Sequence, residues 1–138
     1  MKKLFFCLAL LGAAVSFASA QVAVIVHPDA PLESLNPSEL EDILLGKKTQ
    51  WGTGQVIEIA TLKDGAAHNA FCKTYAKRTP SQFKTFWRNQ VFSGRGTMPK
   101  EFPNASAMLS YVAATPNAIG YVDAEAVDAS VKVITVSP

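Results

Sequence analysis

Cysteine and histidine are scarce in this 138-residue chain, with two of each. Long apolar runs are scarcer still. The single extended one spans Leu4 to Phe17, behind a basic Met1-Lys2-Lys3 start and ahead of Ala18-Ser19-Ala20. A basic head, a short apolar stretch and an A-x-A end predict a secretory signal peptide over residues 1–20, cleaved before Gln21. The run is too short for a membrane span, and no later segment is apolar for long enough, so no membrane insertion is expected after cleavage. Cys7 leaves with the signal. Cys72 then has no partner within the chain, which excludes a disulfide-stapled scaffold in an oxidising compartment. With Phe71 and Tyr75 nearby, it reads as a small buried apolar residue. Excess positive charge is also missing. The chain has 13 basic and 11 acidic residues, but Lys2 and Lys3 lie in the signal, so the remainder is balanced. Such a balance gives no electrostatic footprint for nucleic acid or a membrane surface. Residues 21–138 have the length of one domain, and they contain no internal repeat or low-complexity linker.

What is present alternates strand and helix patterns. Val22–Val26 is a β-branched run that reads as a buried strand. Asn36 can cap a helix that starts at Pro37, with Glu39 placed to close a capping box; Leu40, Ile43 and Leu44 form its apolar stripe and Gly46 its end. A turn at Trp51-Gly-Thr-Gly54 leads to a second strand, Val56–Ala60. A helix follows from Gly65 to about Lys77. Thr79-Pro80 opens another, with Phe83, Phe86, Trp87 and Val91 on one face. Phe92 to Asn104 reads as a Gly- and Pro-rich loop. Asn104 caps a helix carrying Met108, Leu109 and Val112, which stops before Thr115-Pro116. Ala118–Val122 and Val131–Val136 are the last strands. Strands separated by amphipathic helices predict an α/β fold, a three-layer-like sandwich around a mainly parallel or mixed sheet.

Few residues carry chemistry. Asp64, His68 and Cys72 lie at i, i+4 and i+8 along one helical face. Eight helical residues span about 12 Å, whereas zinc ligands sit at about 2 Å, so the trio cannot share one ion. No metal or other cofactor is expected. Cys72 and His68 are neighbours at i, i+4, but no third residue orients the histidine and the thiol lacks an exposed electropositive setting. No catalytic residue, and no enzyme, is expected. Arg95, between Gly94 and Gly96, offers a guanidinium fork for an oxyanion, or is a solvated charge on a surface turn.

The stretch KDGAAHNAF, Lys63 to Phe71, supports two readings. A helix that starts on small residues offers free backbone N–H groups to an anion, with Lys63 beside it. Alternatively, Asp64 takes those N–H groups as an ordinary N-cap and repels an anion.

Taken in order, VAVIVHPDAP, LEDILLGKKTQWGTGQVIEIA, FWRNQVFSGRGTMP and MLSYVAATPNAIGYVD resemble the substrate-binding proteins of phosphate ABC transporters, within the type II periplasmic binding protein superfamily. LGK…W and AIGYV are the most specific of these fragments. The resemblance spans nearly all of residues 21–138 and implies one lobe of such a protein. Full-length members close two lobes on the anion. The early Gly/Ser/Thr-rich phosphate loop and the returning C-terminal segment of those members have no counterpart here. Their ligand loop in this lobe carries an arginine and then Ser-Gly-Thr at a helix start. TLKDGAAHNAF matches it at Asp64 and Gly65, puts Ala66, Ala67 and His68 where Ser, Gly and Thr are expected, and has no arginine just upstream.

The resemblance implies a periplasmic, non-catalytic solute-binding-like protein that takes phosphate or a similar oxyanion, in ABC-type phosphate uptake or sensing. Its ligand-binding residues would be Lys63, Asp64, Gly65, Ala66, Ala67 and His68, with Arg95 as a second cation. A buried anion needs many donors, and one lobe supplies few, so affinity of about 4–6 kcal/mol is expected. His68, if unperturbed, would add charge on acidification. Partners would be the oxyanion and an ABC transporter membrane component, an envelope sensor or a second copy of the chain. The alternative is a periplasmic interaction or accessory module that kept the fold and lost the ligand.

Overall fold

A computed structural model describes residues 21–137. The expected signal segment, 1–20, and Pro138 lie outside the described residues. Six strands form one sheet: β1 (Val22–Val26), β2 (Ser34–Leu35), β3 (Glu58–Leu62), β4 (Lys100–Phe102), β5 (Ala118–Asp123) and β6 (Lys132–Val136). Their spatial order is β2-β6-β1-β5-β3-β4. β1 runs antiparallel to both of its neighbours, β5 and β6, and the other pairings are parallel. The sheet is therefore mainly parallel, as the sequence predicts, and its one reversed strand, β1, is a finding of the structure.

Four α-helices accompany it: α1 (Pro37–Leu44), α2 (Ala66–Phe71), α3 (Pro80–Phe92) and α4 (Ala105–Ala114). A π-helical turn, Cys72–Ala76, continues α2. The caps fall where the sequence puts them. Asn36 accepts from Glu39 N–H at 2.8 Å and Asn104 from Ala107 N–H at 2.9 Å. Thr79 and Gln82 close a full capping box. At α1 the box stays half-made, because the Glu39 carboxylate pairs with Lys48 at 3.5 Å instead. Gly46, at φ 72°, ends α1 in the left-handed region that glycine tolerates.

Adjacent residues of β5 show how the layers form, since successive strand side chains face opposite ways. A Cβ on Gly120 would meet Met108 and Val112 of α4. Tyr121, one residue on, stacks on Phe71 of α2. α4 thus covers one face and α2 the other, with α1 and α3 packed around the π-helical turn. The three-layer sandwich expected from the sequence is the one observed. The central strands are buried on both faces, which suits their continuous apolar runs.

Three expectations shift. The second strand lies two residues later than Val56–Ala60. Val56 is exposed and bridges back to Gln50, whereas Thr61 and Leu62 pair with β4. β4 itself falls within the stretch expected as loop; three residues among prolines carry no periodicity to read. Val91 is 44 % exposed, because α3 buries only Phe83 and Trp87 with Phe86 half-covered. Trp87 anchors the helix by donating to the Leu44 carbonyl at 3.0 Å, and Phe92 at its end is exposed.

Gly120→Ala tests the packing of α4 on the sheet. Its new Cβ would lie 2.7 Å from Met108 Sδ and 3.2 Å from Val112 Cγ2. Overpacking there is expected to cost about 1–3 kcal/mol in chemical denaturation; a variant as stable as the parent would contradict the close approach.

Candidate functional site

The carboxyl end of β3 leads through Lys63 and Asp64 into α2. In open α/β sheets this edge is where ligands bind. The chain turns at Gly65 with φ 102° and ψ 172°, so Gly65 rather than Asp64 is the N-cap, and no side chain accepts from the first turn of α2. The left-handed glycine starts the helix one residue later than expected and leaves the Asp64 carboxylate outside the cap. The competition expected between Asp64 and an anion for these N–H groups is therefore absent from the fold.

Tyr121 fixes where that first turn sits. Its hydroxyl accepts the Leu62 N–H at 2.9 Å and bonds Nδ1 of His68. The phenol thereby ties the imidazole of α2 to the backbone of β3. His68 is buried, and burial lowers its pKa, opposed more weakly by Glu101 and Asp64. Burial thus keeps His68 neutral to lower pH than an unperturbed histidine, so the charge expected from it on acidification comes later. Tyr121 is held protonated, its pKa raised by burial. Cys72, with Sγ 3.7 Å from His68 Nδ1, is fully buried and its thiol is pushed up to about 11, which matches the small-core-residue reading. Among the described residues no group of three His, Cys, Asp or Glu side chains could hold a metal ion.

Beside this corner is a cavity of about 270 Å³. Lys63 and His68 line it, together with Thr61, the first turns of α3 at Pro80, Ser81 and Lys84, and Glu101 of β4. Phe83, Trp87, Met98 and Pro99 supply an apolar wall. Thr61 and Glu101 are register partners across the parallel β3–β4 pair and so share a sheet face. Of the seven residues expected at the site, the structure brings Lys63 and His68 to the cavity. Asp64, Gly65 and Ala66 are exposed next to Lys63 in the chain, and Ala67 is half-buried; none of the four lines it. Arg95 lies elsewhere. It borders a second depression with Lys48, Thr49 and Thr97, parted from the first by Trp87, Met98 and Pro99, which line both. It does not act as a second cation in the same cavity.

Sequence reasoning missed Lys84, Ser81, Thr61 and Glu101. Lys84 and Ser81 belong to the helix already read from its apolar face. Their polar face enters the site only through tertiary packing. Glu101 depends on β4, which has no sequence signature.

A family model described as a PBP superfamily domain matches residues 12–136. The chain belongs to that family. No curated protein matches it. Among solved structures, a chain assigned as a phosphate ABC transporter substrate-binding protein from Clostridium perfringens, with bound phosphate, is similar at TM-score 0.66 and 24 % identity, covering 83 % of this chain and 44 % of its own. An ABC-type phosphate transport receptor from Vibrio cholerae gives TM-score 0.56, 21 % identity, and coverage of 82 % and 44 %. PstS from Borrelia burgdorferi gives 0.58, 10 %, 83 % and 46 %. These similarities are of fold. The PBP domain spans under half the length of each of these three chains.

His68 also makes stability depend on pH. An unfolded histidine binds its proton near pH 6.5, whereas the folded protein binds it only at lower pH. The stabilisation is therefore full above that value and falls as acid protonates the unfolded chain first. Melting temperature is expected to drop between about pH 7 and pH 5, and His68→Gln to flatten the drop; an unaltered profile in the variant would remove His68 as its source.

Proposed function

We propose that residues 21–138 form an exported, periplasmic solute-binding-like protein that recognises phosphate or a similar oxyanion weakly, in ABC-type phosphate uptake or sensing. The observation that carries this reading is the cavity at the end of β3. Two lysines, Lys63 and Lys84, line it with Ser81, beside a first turn of α2 that no side chain caps. Cations and uncapped N–H groups at such a corner favour an anion. Membership of the PBP family and the fold shared with phosphate-transport proteins support the same class of ligand. The chemistry in this reading is recognition of the anion. An ABC transporter membrane component, an envelope sensor or a second copy of the chain would complete the assembly.

Two observations favour the second reading, an accessory module that kept the fold and lost the ligand. Ala66 and Ala67 bring no hydroxyl to the first turn, and Glu101 puts a carboxylate in the cavity.

Titration with phosphate, sulfate and nitrate, followed by thermal denaturation and calorimetry, separates the two. An oxyanion at a hundred times its dissociation constant is expected to stabilise the protein by about 2.7 kcal/mol. No shift with any of the three at tens of millimolar would leave the accessory module.

A further inference from the structure

The cavity is roomier and more varied than a bare tetrahedral oxyanion requires. Its volume of about 270 Å³ approaches the roughly 300 Å³ at which small-molecule pockets begin. One wall is apolar, formed by Phe83, Trp87 and Met98 with flanking prolines. Three charged side chains line it: Lys63, Lys84 and Glu101. None of the three takes part in an ion pair among the described residues. Lysine ammonium groups suit a phosphoryl group. A carboxylate beside the same anion is unfavourable by like-charge repulsion, unless the ligand presents a donor or a cation to it. An apolar wall likewise gives nothing to an inorganic ion, but it holds a carbon chain.

We propose that the cavity takes a phosphomonoester or phosphonate whose short carbon arm ends in an amine. The phosphoryl group meets Lys63 and Lys84. The arm lies along Phe83, Trp87 and Met98, and the ammonium group meets Glu101. The assignment rests on the oxyanion reading above and narrows its ligand class. It also gives Glu101 a role: under this assignment the carboxylate selects for the amine and against the bare anion.

Calorimetric titration of the exported protein with O-phosphoethanolamine, ethyl phosphate and inorganic phosphate tests it. O-phosphoethanolamine is expected to bind at least about tenfold more tightly than either of the others, a difference of about 1.4 kcal/mol. Glu101→Gln is expected to bring its affinity down to that of ethyl phosphate. Glu101 is exposed, so the variant is expected to keep the parent's circular dichroism and melting profile. Glycerophosphoethanolamine, a diester with a lipid-headgroup amine, separates a headgroup source from a free monoester; tighter binding of the diester would overturn the monoester assignment. Inorganic phosphate binding as tightly as the amine ester would overturn the inference while the oxyanion reading stands. So would a preference that survives Glu101→Gln. If no oxyanion binds, both readings fall.

Discussion

The hydroxyl of Tyr121 is the point on which the site depends. It is a buried polar group at the junction of three elements: β5, which carries it, β3, whose Leu62 N–H it accepts, and α2, whose His68 it bonds. A buried hydroxyl without partners would cost roughly 1–3 kcal/mol, so satisfying it in this arrangement locks α2 against the end of β3. The Tyr121 ring adds to this by stacking on Phe71 at a centroid distance of 3.6 Å. Lys63 and the uncapped first turn of α2 are consequently set at the sheet edge by a fixed hydrogen-bond chain and not by the loop itself. Burial at the same junction favours the neutral form of His68, which serves as a positioning residue.

Around that anchor the polar groups divide by burial. Thr61, His68 and Tyr121 are inside and hydrogen-bonded, whereas Lys63, Lys84 and Glu101 reach the cavity from exposed positions. A rigid interior and unpaired charges at its mouth form an arrangement that can recognise a charged ligand but cannot enclose one. The sequence resemblance implies that full-length relatives meet that need with a second lobe. The PBP domain spans less than half of each solved chain compared above, and weak affinity is the physical consequence proposed for one lobe acting alone.

Much of the fold was legible because its signals are local. Asn36, Thr79 and Asn104 announce helix starts through their own side chains, and the runs Val22–Val26 and Ala118–Val122 announce buried strands. The motif residues also have direct structural work. Gly46 leaves room for Trp87, Trp51 donates to the Asn117 carbonyl at 3.0 Å, and Gly120 admits α4 to the sheet. The site was legible only in part. Lys63 and His68 follow from the loop sequence, but the N-cap moved because Gly65 adopts a conformation that composition alone does not assign. Arg95 missed the cavity because Trp87 and Met98 stand between. Lys84 and Glu101 come together from a helix face and a three-residue strand, a juxtaposition that exists only in three dimensions.

The central claim is that the cavity at the end of β3 receives an oxyanion at Lys63 and Lys84. Backbone amide chemical shifts during titration with inorganic phosphate test it most directly. The account predicts saturable shifts at the amides of Lys63, His68, Ser81 and Lys84. Unmoved amides at these positions at tens of millimolar phosphate, or saturable shifts confined to the Arg95 turn, would contradict it.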